Sequence, residues 1–221
     1  RIPGGLMRDP TPVRLAGQVV GNFEAEMLRN VIITALEAFG LYEQRKKIWA
    51  EKSGASVSVL WFSFLLGLYA AVVVYGQSID SVAMRIDGAI LALSTMPVLI
   101  GLAKFKGFTT TEKIAAALFA AGIAAMIALP YKAEFFLAYS IGNIVVGLKQ
   151  PWEIWKNKNR GVLDRSLLFV FLFVTVCWSV YAFVFGDLVL EIVFPSLTAV
   201  VVLTLIMWYR YPPPQMQNAT P

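Results

Sequence analysis

The chain has 221 residues, of which 58% are hydrophobic and 15% charged, and its formal net charge at pH 7 is +5. A soluble domain usually carries about a quarter charged residues, so this chain is depleted in charge. It has no histidine and one cysteine, which excludes a disulfide framework and the usual His-based catalytic, zinc and haem sites. We therefore expect no enzyme activity, no metal and no cofactor, and the basic charge does not require a nucleic-acid partner.

The apolar residues are gathered into long uncharged segments. Six segments contain no Asp, Glu, Lys or Arg: 53–79, 88–103, 114–131, 135–148, 166–186 and 192–209. A helix needs about 20 apolar residues to cross the hydrocarbon core of a bilayer. The composition therefore predicts an all-α, multi-pass integral membrane protein whose first partner is the lipid bilayer.

We predict seven transmembrane helices, at 27–47, 57–76, 86–105, 113–131, 134–152, 166–186 and 188–209. The first is the weakest, because Arg29 and Glu37 interrupt its apolar run, and an amphipathic helix lying in the membrane interface is the alternative. The segments 1–26 and 211–221 are rich in Pro and poor in apolar residues. We predict that both are irregular tails.

The basic residues indicate an orientation. Most of the 19 Lys and Arg residues fall in the C-terminal tail and in the loops that follow the first, third and fifth predicted helices. Basic loops are retained on the cytoplasmic side of a membrane. We therefore expect a cytoplasmic, stromal or matrix C-terminus and an N-terminus outside, in a plasma or organelle membrane that the residues do not identify.

An internal repeat relates two loops of the chain. Residues 42–60 align with residues 148–166 at an offset of 106, and the matched pairs are Gln44 with Gln150, Ile48 with Ile154, Trp49 with Trp155 and Lys52 with Lys158. Each copy joins the first helix of a triplet to the second. The repeat predicts a 3+1+3 arrangement: a triple-helix bundle at 27–106, a linker helix at 107–132 and a second bundle at 133–210. The single linker span allows the two bundles to lie parallel.

Several of these segments resemble one family. QPWEIWKNKNRGVLDRSLLF resembles a PQ-loop, CWSVYAFVFGDLVLEIVFP resembles the SWEET Trp-x-x-Tyr region of helix 6 leading into helix 7, and MWYRY resembles the end of helix 7. KKIWAEKSGASVS and RIDGAI are fainter counterparts in the first half. Over about residues 25–211 the chain resembles the SWEET and PQ-loop superfamily of small-solute transporters. The resemblance implies two triple-helix bundles around a central cavity and alternating access.

Glu37 is the strongest functional candidate, because a carboxylate in the middle of a span usually faces a bundle interior or a wet cavity. Asn143 holds the equivalent place in the second half. Asp87 stands near the position where SWEET proteins place a substrate-binding Asn in helix 3. The structural alternatives are that Glu37 pairs with a basic neighbour and that Asp87 is an interfacial carboxylate near Arg85.

The resemblance assigns the remaining candidates. Trp178 matches the cavity Trp of the family, and either Ser196 or Phe194 stands in place of the family's helix-7 Asn. Gln150 and Pro151 match the hinge, in reversed order. Because the family's paired Asn residues are missing, sugar is not required as the substrate.

Two functions follow as expectations. The first is SWEET-like facilitative transport of a small polar solute, such as a sugar. The residues expected to line its cavity are Glu37, Asp87, Asn143, Trp178 and Ser196. The second is a non-transporting structural subunit that keeps this fold within a larger membrane protein complex. Homo-oligomer formation remains open in either case.

Overall fold

The structure is a computed structural model that describes residues 12–185 and 188–213. Within these ranges the chain forms eight helices and no strand, which confirms an all-α protein. The helices are α1 (Pro12–Glu51), α2 (Val59–Ser78), α3 (Val82–Phe105), α4 (Thr110–Ala128), α5 (Lys132–Gly147), α6 (Lys149–Asn157), α7 (Arg165–Phe185) and α8 (Leu188–Arg210). The sixth and seventh predicted helices correspond to α7 and α8.

Four of the described helices are long and apolar enough to cross a membrane. They are α2, α3, α4 and the segment Glu191–Arg210 of α8. The apolar part of α7, Arg165–Val180, is shorter. A multi-pass membrane protein is therefore supported by length and composition, and the count of seven spans stays a prediction.

The first helix is much longer than predicted. It begins at Pro12 rather than at residue 27, so residues 12–26, which were predicted to be irregular, are helical. Proline suits the first turn of a helix because its fixed φ is helical and its missing N–H is not needed there. The next proline after Pro12 is Pro97, so proline breaks α1 nowhere. The rest of the predicted N-terminal tail, residues 1–11, lies outside the described residues.

The fifth predicted helix is two helices rather than one. It breaks at Leu148, between α5 and α6, and continues to Asn157 instead of ending at residue 152. Pro151 explains the position of the break. Its ring excludes the backbone N–H that would bond to the carbonyl of Gly147, four residues earlier. Pro151 itself lies in the first turn of α6, three residues after the break. Its role as a hinge stays a prediction.

The helices form two groups with the same pattern of contacts. In the first group α3 packs against both α1 and α2, and in the second α8 packs against α5, α6 and α7. Between the groups, α1 packs against α7 and α2 packs against α5. The remaining helix, α4, lies against α2 and α5 and buries only Met126 among its described side chains.

One apolar core joins the two groups. It includes Leu41, Trp61 and Leu65 from the first group and Leu167 and Phe171 from the second. The rings of Trp61 and Phe171 meet edge to face, with centroids 5.7 Å apart. The groups are therefore held together by packed side chains rather than by the α4 connection alone.

The loops after α1 and α6 lie at one end of the molecule. The Val162 amide donates to the Ala55 carbonyl at 3.0 Å, and the Arg160 amide donates to the Pro212 carbonyl at 3.0 Å. The end of α3 is at the same place, because Lys106 Nζ donates to a carbonyl in the first loop at 2.7 Å. We call this end the clamp face, and residues 52–58 and 158–164 the first and second clamp loops.

Candidate functional site

A buried glutamine of α1 holds the second clamp loop. Gln44 is fully buried. Its Nε2 donates to the Val162 carbonyl at 3.0 Å, and its Oε1 accepts from the Asp164 amide at 2.7 Å. A primary amide can donate and accept at once, so one side chain satisfies two buried backbone groups of the facing loop.

A buried glutamine of α6 holds the first clamp loop in the same way. Gln150 is also fully buried. Its Nε2 donates to the Ser56 carbonyl at 2.8 Å, and its Oε1 accepts from the Ser58 amide at 2.9 Å. Each half of the chain therefore grips the loop of the other half.

Three of the four residue pairs of the sequence repeat have matching structural roles. The offset of 106 relates not only the two glutamines but also the loop residues that they bind. Ile48 and Ile154 are both fully buried, and Lys52 and Lys158 both end their helices in the left-handed region, with φ of 46° and 53°. The repeat inferred from sequence thus coincides with a reciprocal, two-fold arrangement at the clamp face.

Further polar contacts seal the clamp face. Ser56 Oγ lies 2.8 Å from both the carbonyl and the Oδ1 of Asn159. Lys106 Nζ, besides bonding to the Val57 carbonyl, lies 3.4 Å from an oxygen of Glu153. These contacts join α3, α6 and both clamp loops, so this end of the interface between the groups is closed.

Two of the predicted site residues come together around a tyrosine. Tyr69 OH donates to Glu37 Oε2 at 3.2 Å, and Asp87 lies on α3 next to Gly88, which packs against Tyr69 of α2. Gly88 permits this approach, because a Cβ there would lie 2.7 Å from the Tyr69 carbonyl. Glu37 lies two turns before Gln44, about 10 Å from the clamp at 1.5 Å per residue.

The sequence analysis left a purely structural role open for both carboxylates, with Glu37 paired to a basic neighbour and Asp87 near Arg85. Arg85, which was considered as a partner of Asp87, donates to Gln77 at 2.8 Å instead. The hydrogen bond of Glu37 comes from the neutral Tyr69 rather than from a basic group. Both residues are half-buried. An ionisable group in apolar surroundings is costly in free energy, so a residue of this kind is a candidate functional residue.

Asn143 holds the equivalent sequence position in the second group. It is seven residues before Gln150, as Glu37 is seven residues before Gln44. The side chain is buried, and its Oδ1 has no hydrogen-bond partner among the described residues. No described contact joins it to Glu37. A buried amide oxygen without a partner is unusual and needs an explanation.

The other candidates lie on α7 and α8. Trp178 is half-buried and stacks on Phe194, with centroids 5.4 Å apart and planes 14° from parallel. Phe194 therefore covers a face of the indole. The Ser196 hydroxyl donates to the Ile192 carbonyl of its own helix at 2.6 Å. The structure brings Trp178 and Phe194 together across α7 and α8.

The sequence reasoning missed Tyr69 as a site residue. Its hydroxyl lies in the apolar run of α2, and a tyrosine buried there needs a polar partner. That signal, combined with the mid-helix Glu37, was available. The pairing of Gln44 and Gln150 with the opposite loops was also missed, because a sequence alignment shows which residues correspond but not which loop each contacts.

Comparisons of the chain with protein-family models, curated proteins and solved structures gave no match. The function is therefore argued from the geometry.

Proposed function

We propose that the chain folds as two like-oriented triple-helix bundles joined by a linker helix, and that it transports a small polar solute between them by alternating access. The observation that carries the proposal is the paired placement of Glu37 and Asn143. Each lies seven residues before the buried glutamine of its own half, on a helix that meets the opposite bundle.

The packing supports this arrangement. Each group places its third helix against its first and second, and the contacts between the groups pair first with second helices in both directions. The clamp face is closed by side-chain hydrogen bonds between two loops. It can therefore open when these side chains exchange their partners. Alternating access needs such a bistable joint.

The chemistry of the proposed site favours a solute with hydrogen-bond donors. Glu37 and Asp87 supply carboxylate oxygens, and Asn143 supplies a buried oxygen without a described partner. Hydroxyl and amine groups complement these acceptors. Trp178 and Ser196 remain proposed lining residues on the second bundle, and Gln150 with Pro151 remains the proposed hinge.

A screen of the reconstituted protein tests transport. Liposomes containing the full chain are assayed for uptake of labelled glucose, putrescine and lactate, which represent sugars, amines and organic acids. We expect uptake of glucose or putrescine above empty liposomes, and a loss of at least about ten-fold in Glu37→Gln. Uptake of none of the three contradicts the proposal.

A crosslink tests alternating access separately. Ser56→Cys and Asn159→Cys, in a Cys177→Ser background, place two thiols on facing side chains whose terminal oxygens now lie 2.8 Å apart. Oxidation is expected to stop uptake and reduction to restore it, whereas each single cysteine variant stays insensitive. Full crosslinking without loss of uptake contradicts a moving clamp.

A structural subunit is the second candidate function, favoured by the apolar core that fills the interface near the clamp. Trp61, Leu65 and Phe171 leave side-chain packing rather than polar groups between the bundles there. On this proposal the chain remains in a larger complex after mild extraction, and Glu37→Gln leaves that complex intact. Native electrophoresis of the extracted membrane distinguishes the two functions.

A further inference from the structure

We infer that the end of α7 and α8 at the clamp face carries a binding site for the phosphate headgroup of an anionic membrane lipid. The site is formed by three cations, Lys158, Arg160 and Arg165, and by the rings of Trp155, Trp208 and Tyr209. We call it the basic-aromatic patch. It does not depend on whether the chain transports a solute or serves as a subunit.

The cations of the patch rest on aromatic rings. Arg160 lies over the Trp208 ring at 4.0 Å, and Lys158 lies over the Trp155 ring at 4.4 Å. Such contacts fix the direction of a cation while leaving its N–H groups available for an anion. The ion pairs found among the described residues are Lys46 with Glu43 and Lys106 with Glu153, and neither includes a cation of the patch.

The two arginines converge through adjacent rings. Arg165 lies over the Tyr209 ring at 5.9 Å. The rings of Trp208 and Tyr209 meet edge to face, with centroids 5.0 Å apart. The two guanidinium groups are thus held on neighbouring rings at the junction of α7 and α8. Guanidinium groups bind phosphate oxygens bidentately, which makes a phosphodiester a suitable ligand.

An exposed apolar surface continues from the patch along both helices. On α7, Arg165 is followed at helical spacing by exposed Phe169 and Phe173. On α8, exposed Ile206 lies one turn from Tyr209. A cation at the head of an apolar stripe matches a phospholipid, whose headgroup is anionic and whose chains are apolar. Free phosphate would use the cations alone.

Three other cations near the clamp face are engaged differently. Lys47 Nζ donates to the Leu163 carbonyl at 3.2 Å, and Lys106 bonds to a carbonyl and to Glu153. Lys46 pairs with Glu43 at 3.3 Å. These three cations are thus bonded to groups of the chain itself, whereas the cations of the patch lie over rings.

The inference is tested by lipid binding to the full chain. Nanodiscs of phosphatidylcholine, with or without phosphatidylglycerol, are compared by native mass spectrometry and by thermal unfolding. We expect retained phosphatidylglycerol and a higher midpoint of unfolding with the anionic lipid. Each of Arg160→Gln and Arg165→Gln is expected to weaken retention about five-fold, and Arg165→Lys to retain most of it.

Arg45→Gln with Lys104→Gln is the matched control, because both are exposed cations near rings of the first bundle. It is expected to leave lipid retention unchanged. Equal losses in the control and in the patch variants, with folding intact by circular dichroism, overturn a localised site. Equal protection by inorganic phosphate in phosphatidylcholine nanodiscs overturns the lipid as the ligand, and so does the absence of any difference between the two lipid mixtures.

Discussion

The two halves of the chain close the clamp face with the same glutamine bonds but reach them along different backbones. In the first half, α1 continues through Gln44 as one uninterrupted helix. In the second half, the helix before Gln150 breaks at Leu148, three residues before Pro151. Both glutamines nevertheless bind two backbone groups of the opposite loop. The clamp geometry is therefore separable from the helix break, which belongs to the second half alone.

The halves differ more in the interior of their helices than at the clamp face. The first half joins Glu37 to Tyr69 by a hydrogen bond and packs Gly88, next to Asp87, against Tyr69. At the offset of 106, the second half has Asn143, Thr175 and Val193. The two clamp glutamines are the same in both halves, whereas these three positions differ. Function is thus expected to depend unequally on the two halves.

The largest effect is expected from a methyl group at the contact between the clamp loops. Gly161 has φ of +54°, and a Cβ there would lie 1.9 Å from the Ala55 carbonyl oxygen. Gly161→Ala is expected to lower the free energy of unfolding by more than about 4 kcal/mol, since left-handed strain adds to a backbone clash. Denaturant titration of the purified chain measures this loss.

Gly107→Ala is the control for Gly161→Ala, because Gly107 has φ of +77° but open space around its Cβ position. It is expected to cost only about 1–2 kcal/mol of strain. Equal losses in the two variants would mean that the loop contact adds nothing.

The next effect tests whether the two glutamines are equivalent. Gln44→Leu and Gln150→Leu each leave two backbone groups of a clamp loop without partners, at an expected cost of about 2–4 kcal/mol in the free energy of unfolding. The exposed Gln77→Leu is expected to change it by less than about 0.5 kcal/mol. If one of these variants lost less than half as much free energy of unfolding as the other, the two glutamines would not be equivalent.

A smaller effect is expected where the halves diverge. Tyr69→Phe removes the hydroxyl bond to Glu37 and is expected to lower the free energy of unfolding by about 1 kcal/mol. It should also reduce uptake of any transported solute. Tyr139→Phe removes a tyrosine hydroxyl bond on α5, to the Phe119 carbonyl, and is expected to destabilise the chain similarly without reducing uptake. Equal uptake in both variants argues against a site at Glu37.

The smallest effect is expected at the helix break. Pro151→Ala restores a backbone N–H that can bond to the Gly147 carbonyl, and α1 shows that an unbroken helix presents its glutamine correctly. The free energy of unfolding is expected to change by less than about 1 kcal/mol. A loss beyond about 2 kcal/mol would show that the break positions Gln150.

Much of the architecture was predictable because apolar runs and loops mark helix ends directly. The predicted limits of α2, α3 and α7 differ from the observed ones by a few residues. The start of α1 was missed because its apolar content is low before residue 27, although no proline interrupts it. The extension to α6 was missed because a proline inside a helix looks like an end.

The candidate site was predictable only in part. Glu37 was identified because a carboxylate in an apolar run is conspicuous, and Asn143 followed from the repeat. The neighbours that give these residues a chemical setting depend on which helix faces which. Tyr69 meets Glu37 across two helices that are adjacent in sequence, and Phe194 covers Trp178 across a hairpin. Such side-chain pairings are set by helix rotation and packing, which periodicity alone does not fix.

The reciprocal grip of the clamp loops is isologous: each unit offers one glutamine and one loop, and receives the same from its counterpart. If the proposed 3+1+3 arrangement holds, two separate copies of one half would form the same glutamine bonds as a homodimer. Fusion through α4, which buries little of its own surface, adds proximity rather than new complementarity. It also releases the two copies from identity, so that one can gather acidic groups while the other gathers aromatic and basic ones.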